Sequence, residues 1–430
     1  MTAQWLFLVY MAGDNGKRFP DGRPLMLDLS QEGWSDLREM ASVGSSDRVE
    51  VVVQFDTLDS RQTTPRFLVH GGGRPVELVD QVPSVNTGDP RSLTEFVVWA
   101  TAAYPAERVA LILWNHGTGW DEEDVYARYR EAGEGLRTDR QRGLVSERPG
   151  RALFLSSLAK VAALADDDTR AICYDDSSMD FLDNADLDAA LAAASQRSGR
   201  RVDLLGMDAC LMASVEVAYA VRRHADVLVA SEEVEHADGW PYARILGALT
   251  ASPEMDAACL GRHIVDAFAD RYKSRTRTPG RWTLASLDLA KLEPVIERFG
   301  PICEWLAERI PNDFHIERRL LRAQRDLRRF SRPKDDPVDL LQLLAILGQG
   351  GLGPLAAMAD EVAEHLEGKA IDRNWSAAGQ SAGGLSIYLP LGGYSPFYDR
   401  QAFAQTGWGR VIRTLNGVAD LGIGETQPAG

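Results

Sequence analysis

Short apolar runs at 5–11, 49–56, 107–114, 202–208, 225–231 and 282–287 are what most constrain the fold of this chain. Several, such as Val109-Ala-Leu-Ile-Leu-Trp114, are apolar at successive positions, without polar alternation. Successive side chains of a strand point to opposite faces, so a run of this kind needs apolar cover on both. Amphipathic stretches at 90–103, 185–196, 211–223 and 254–273 fall between the runs and can supply that cover. Strands and helices alternating in this way predict an α/β fold, a mostly parallel sheet flanked by helices. Gly71-Gly72-Gly73 at the centre of 66–80 predicts an antiparallel hairpin inserted at the surface.

After Leu287 the pattern turns mainly helical, over 289–309, 315–330, 338–347 and 355–366, and then returns a strand at 384–390. The expected organisation is a main α/β domain over 1–288, a helical C-terminal subdomain over 289–422 packed on the sheet, and a tail over 423–430 that frays. Residues 121–151 break the rhythm. They open on Asp121-Glu-Glu-Asp124 and then scatter Arg128, Arg130, Arg137, Arg140, Arg142, Arg148 and Arg151 among glycines with no apolar period. Such a stretch reads as a long surface loop, and loops of that length in a compact domain are either functional or simply solvated.

Charge narrows the function. With 63 acidic against 47 basic side chains, a formal net charge of −16 argues against nucleic acid as a partner and suits a basic one. No apolar run approaches the roughly 20 residues that span a bilayer, so no membrane partner is expected. The run from Trp5 to Met11 has neither a basic leader nor a small-residue cleavage signal, and it reads as a buried first strand of a cytoplasmic protein. Cys173, Cys210, Cys259 and Cys303 have neither the spacing of a disulfide framework nor that of a zinc site.

Two strand ends carry residues of chemical interest. Leu113-Trp-Asn-His116-Gly117-Thr-Gly119-Trp120 ends an apolar run on a histidine followed by glycines. Catalytic groups of such sheets collect beyond the carboxyl ends of strands. Val202-Asp-Leu-Leu-Gly-Met-Asp208-Ala-Cys210 ends another, with the thiol expected directly before the 211–223 helix, whose dipole would favour a thiolate. If both strands lie parallel in one sheet, His116 and Cys210 emerge on the same edge, where imidazole can exchange a proton with the thiol or a leaving amine. A cysteine among Leu, Met and Ala can equally be a small core hydrophobe, and His116 can merely close a loop hydrogen bond.

The strings Leu-Trp-Asn-His-Gly-Thr-Gly-Trp and Gly-Met-Asp-Ala-Cys-Leu-Met-Ala resemble the histidine and cysteine boxes of the clostripain family of cysteine peptidases, which share the caspase-like fold. Val9-Tyr-Met-Ala-Gly-Asp-Asn15, Asn184-Ala-Asp-Leu, Ser231-Glu-Glu, Gly239-Trp-Pro-Tyr242, Val338-Asp-Leu-Leu341 and Gly384-Leu-Ser-Ile-Tyr-Leu-Pro390 are similar to further family segments, in order. The resemblance implies Cys210 as nucleophile, His116 as general acid and base, and the N–H groups of Gly117 and Cys210 as an oxyanion hole. It also implies cleavage after Arg or Lys, with Asp208 at the base of the pocket; Asp238 and Glu235, in the loop before Gly239-Trp240, and Trp240 itself are further candidates by position. A carboxylate there can take bidentate hydrogen bonds from a guanidinium. Asp208 can also be an acid that complements a helix start.

The resemblance further implies calcium dependence and maturation by a cut between the two boxes, where the arginines of 121–151 lie. The expected enzyme is then a zymogen opened by its own activity or by an upstream protease, needing no cofactor for the chemistry itself. Asp14, Asp175 and Asp176, with Asp180, Asp183 and Asp186 nearby, are oxygen ligands a calcium ion could use, although acids near helix starts also serve as caps. The reading from another class is a catalytically silent member of the fold that binds a basic peptide or partner without cutting it. A nucleotide site is disfavoured, because Gly13-Asp-Asn-Gly16 lacks the spaced glycine fingerprint.

Overall fold

Strand β1, Ala3–Gly13, lies inside the main sheet, and its side chains divide by parity. Leu6, Leu8, Tyr10 and Ala12 enter the core on one face, and Trp5, Phe7, Val9 and Met11 enter the core on the other. Each fully buried large apolar side chain contributes about 1.5–3 kcal/mol relative to exposure, which is why an unbroken apolar run seeks this position. The computed structural model describes residues 2–15, 28–57, 62–72, 74–117, 173, 175–236, 238–273, 281–330, 337–349, 353–377, 381–391 and 393–417.

Among these residues the main sheet has nine strands in the order β10-β8-β7-β6-β5-β1-β2-β3-β4. The interior strands β7 (Ala225–Ala230), β6 (Val202–Asp208), β5 (Ala106–Trp114), β1 and β2 (Val49–Thr57) are parallel. Antiparallel strands flank them: β3 (Thr63–Leu68) and β4 (Glu77–Pro83) on one side, β8 (Thr283–Asp288) and β10 (Ile371–Ser376) on the other. The glycine-centred hairpin is thus β3–β4, and it extends the sheet instead of standing apart from it.

One face is covered by α1 (Ser30–Ala41), α5 (Tyr242–Ala251) and α6 (Ala257–Tyr272). The other carries α2 (Pro90–Ala103), α3 (Asn184–Ser198), α4 (Val215–Val221) and the later helices α7 (Leu292–Arg309), α8 (Phe314–Asp326), α9 (Leu340–Gly348), α10 (Pro354–His365) and α11 (Trp408–Leu415). The residues after 288 share one continuous apolar core with β1, β5 and β6. No helix among the described residues is long and apolar enough to cross a membrane.

Three expectations need correction. The helix expected from 211 begins at Val215, with Ser214 as its N-cap accepting from the Val217 amide. Leu211 has φ 63°, a left-handed conformation no helix residue adopts. Residues 211–213 instead pair with the segment after β7, Leu211 N–H donating to Glu233 O and Ala213 N–H to Ser231 O. Their apolar character reflects burial in that loop, not a helical face. Second, the strand expected at 384–390 is Ser386–Tyr388 (β11), and it pairs with Pro337–Asp339 (β9) in a separate ribbon. The strand that the C-terminal part adds to the main sheet is β10, an edge strand that tolerates the charged Asp372 and Arg373 and so carries no apolar run. Third, α1 was not anticipated: only Gly33, Asp36, Leu37 and Met40 of its residues are buried, too few for a clear apolar stripe.

Candidate active site

Strands β5 and β6 run in register from Ala110 opposite Leu204 to Trp114 opposite Asp208, and the Asn115 amide donates to Asp208 O at 3.4 Å. His116 and Cys210 each lie two residues beyond the last pair, so the parallel strands deliver them at the same level. Gly117 then packs onto the cysteine: a Cβ built there would meet Cys210 N and the Ala209 Cβ, both at 2.8 Å. Asn115 ties the histidine loop to the end of β1, donating to Ala12 O and, at 3.2 Å, to Asn15 Oδ1. His116 and Cys210 are 2% and 1% exposed.

The thiol is not held at a helix start, as expected from sequence. Its sulfur accepts from the Glu235 amide at 3.3 Å. A backbone N–H aimed at sulfur favours the thiolate in the same sense as a helix terminus would. Leu211 and Phe330 pack around Cys210, and Phe330, from the turn after α8, had no signal in the sequence that linked it to the site. Nearby, Arg328 reaches the buried Glu233 carboxylate at 3.1 Å, joining the C-terminal part to the segment that braces the cysteine loop.

Asp208 is fully buried at the end of β6, and its Oδ2 accepts from the Tyr242 hydroxyl at 2.8 Å and the Trp240 amide at 3.2 Å. It is a strand-end residue, seven positions before the first residue of α4, so the helix-start role does not apply. Gly239 separates it from a second acid: a Cβ on that glycine would stand 3.1 Å from Asp208 Oδ2 and 3.2 Å from Asp36 Oδ2. Gly239 has φ 55°, which an L side chain rarely adopts, so the close approach is built into the backbone. Asp36 comes from α1 and accepts from Trp114 Nε1 at 2.8 Å. Burial and the nearby Asp208, Asp36 and Glu235 carboxylates hold the Tyr242 hydroxyl well above its ordinary pKa.

Of the other pocket candidates, Glu235 is buried and accepts from Trp240 Nε1 at 3.1 Å. Trp240 is fully buried in the apolar core, not an exposed platform. Asp238 stands further out, its side chain 41% exposed and 3.5 Å from His236. The expected arginine loop 121–151, with Arg128, Arg130, Arg137, Arg140, Arg142, Arg148 and Arg151, lies outside the described residues, as does Trp120.

The acidic candidates separate clearly. Asp183 and Asp186 form the capping box of α3. Asp180 accepts from Asn86 Nδ2 at 2.7 Å, and Asp176 donates its amide to Asp14 O. Asp14 and Asp175, however, meet Asp56 of β2, each offering an oxygen within 4.8 Å of the others, and all are buried. Burial and the neighbouring carboxylates push Asp56 up to about 8, and burial first, with Asp14 next to it, pushes Asp175 up to about 6. Three hard oxygen donors converging at that cost have the chemistry of a divalent-cation site. Asp56 was missed because it is distant in sequence and sits at the end of an ordinary apolar run.

A mostly parallel sheet between helical layers, with a cysteine and a histidine leaving neighbouring strands at one edge, defines a caspase-like protein. Residues 9–133 and 160–325 match the model of the clostripain family. Clostripain from Hathewaya histolytica is 28% identical over 234 residues, a match spanning 49% of this chain and 37% of that protein. A secreted C11 cysteine protease from Bacteroides thetaiotaomicron, solved with an irreversible peptide inhibitor, covers 94% of this chain and 99% of its own, with a TM-score of 0.61 at 18% identity. An inactive zymogen C11 protease from Parabacteroides distasonis covers 94% of this chain and 98% of its own, with a TM-score of 0.62 at 18% identity. This chain belongs to the clostripain family of cysteine peptidases.

Proposed function

We propose that this protein is a cysteine endopeptidase that cuts after Arg or Lys, with Cys210 as nucleophile and His116 as general acid and base. The observation that carries the reading is the seating of Gly117 on the Cys210 backbone at the shared end of β5 and β6. The Cys210 thiolate attacks the scissile carbonyl carbon, and the Gly117 and Cys210 amides stabilise the oxyanion. His116 passes its proton to the leaving amine as the C–N bond breaks, leaving a thioester. It then takes a proton from water, whose attack releases the carboxylic acid and returns the thiol. Replacing Cys210 with Ala should abolish cleavage of an arginyl reporter peptide while far-UV circular dichroism stays unchanged. Full turnover in that variant would end the proposal. Failure of the native, fully matured protein to react with an arginyl ketone probe would favour the silent, peptide-binding alternative.

The basic preference rests on Asp208, with Asp36 and Glu235 close by and Asp238 further out. In a buried slot a carboxylate left without a cation is costly, which is how such a pocket rejects neutral side chains. Maturation is proposed through a cut in 121–151, by the enzyme itself or an upstream protease. The near-complete burial of Cys210 and His116 in the uncut chain supports it, and the Parabacteroides distasonis relative was solved as an inactive zymogen. Changing the loop arginines together to Gln should keep a two-chain form from appearing; an active uncut variant would contradict this.

Calcium is proposed at Asp14, Asp56 and Asp175, and Asp176 adds a backbone tie to Asp14. A bound cation there would neutralise the crowded carboxylates. Asp14 adjoins Asn15, which Asn115 contacts one residue before His116, so the site would brace the histidine loop. Cytoplasmic residence belongs to the same proposal, and fractionation of the producing cell tests it.

A further inference from the structure

Helix α1 and the segment entering β4 border an open groove of about 460 Å³ that the peptidase reading does not use. Trp34, Leu37, Pro75 and Val76 give it an apolar lining, and Arg38 and Arg74 stand at its rim. A volume of this size is in the range of ligand sites, roughly 300–1,000 Å³. Trp34 is anchored on one side, edge-on to Phe55 at 5.1 Å and Phe67 at 6.1 Å, yet 40% of its surface is exposed. Its ring is therefore pre-positioned, with little side-chain freedom left to lose on binding.

Charge selects the occupant. Among the described residues neither Arg38 nor Arg74 pairs with a carboxylate. The acids adjoining them are engaged elsewhere: Glu39 with Arg271 at 3.1 Å and Glu77 with His70 at 2.6 Å. Among the described residues no acidic side chain lines the groove, although the chain carries a net charge of −16. We infer that this groove binds a peptide segment in which acidic and apolar residues adjoin, the carboxylates taken by Arg38 and Arg74 and the apolar side chain stacked on Trp34. Two cations on a strongly acidic protein suit a short acidic peptide, because an anionic bilayer would be repelled by the remaining surface.

The groove is joined to the candidate active site by packed side chains. Phe55, which Trp34 touches, meets Trp114 edge-on at 6.3 Å, and Trp114 donates to Asp36 on the inner face of α1. An acidic segment of a bound protein held here would lie on the helix that also supplies an acid beside Asp208.

The test is a titration of the full chain with an end-blocked Glu-Leu repeat peptide lacking Arg and Lys, followed by tryptophan fluorescence and calorimetry. Binding is expected, weakening by about tenfold or more in an Arg38→Gln/Arg74→Gln variant, for a Gln-Leu peptide, and at high salt. Both arginines are exposed, so the variant should fold normally, and unchanged activity on a short arginyl reporter would verify that. Equal binding by the variant, equal binding of the Gln-Leu peptide, or no binding at all would overturn the inference. So would displacement of the peptide by inorganic phosphate alone, or arginine-dependent binding of anionic vesicles in place of the peptide.

Discussion

A Cβ atom placed on Gly117 would stand 2.8 Å from the amide nitrogen of Cys210, closer than real carbon contacts come. The loop that carries His116 and the loop that carries Cys210 therefore touch backbone to backbone, and only a residue without a side chain lets them. Gly117→Ala must push the two loops apart. Activity on an arginyl reporter is expected to fall by about a hundredfold or more, the scale of a lost oxyanion donor. Thermal unfolding should show a folded protein, and an active variant would contradict the assigned geometry.

Asp208→Asn keeps an oxygen for the Tyr242 hydroxyl and the Trp240 amide but removes the charge. The expected result is a loss of roughly a hundredfold or more in kcat/KM for arginyl substrates, with a much smaller change for a glutaminyl one. Asp36→Asn should act in the same direction and more weakly, since its carboxylate is also occupied by Trp114 Nε1. A parallel loss on every substrate would indicate damage to the fold and not to selectivity.

The acidic trio predicts a calcium effect that needs no activity assay. A cation bound only by the folded state stabilises by about 2.7 kcal/mol at one hundred times its dissociation constant. Calcium should therefore raise the melting temperature of the native protein and leave an Asp14→Asn/Asp175→Asn variant unmoved. An equal shift in both would place the ion elsewhere.

Glu216 predicts a pH dependence away from the site. It is buried where α4 meets the C-terminal part, accepting from the Tyr388 amide at 3.1 Å and the Tyr398 hydroxyl at 2.8 Å. Its second oxygen meets no hydrogen-bond partner among the described residues, and burial pushes the carboxyl up to about 7 from 4.5. The folded state then keeps a proton that the unfolded chain releases. Its contribution is fully present below pH 4.5 and declines as pH rises to about 7, by at most about 1.4 kcal/mol per pH unit. Glu216→Gln should flatten denaturant midpoints over that window, and an unchanged slope would contradict the assignment.

The α/β class, the buried strands and the two strand ends that carry His116 and Cys210 were legible because each is local. A run apolar at successive positions has to be covered on both faces, and a histidine or cysteine at its end follows from position alone. The start of α4 was misjudged for a physical reason: Leu211-Met-Ala is apolar because it is buried between loops, and composition cannot distinguish that from a helix face. β10 escaped because an edge strand need not be apolar, and α1 because few of its residues face the core.

What the sequence determined by itself was which residues could be buried and which could do chemistry. Which of them meet was decided by tertiary structure. The register of β5 on β6 sets His116 level with Cys210, and the left-handed turn at Gly239 seats its backbone between the carboxylates of Asp36 and Asp208. The lateral order of strands places Asp56 beside Asp14, whereas chain proximity would have offered Asp183 and Asp186, which cap a helix instead. Hydrogen bonding across a sheet fixes partners by strand order and register, and neither is written in any local stretch of the chain.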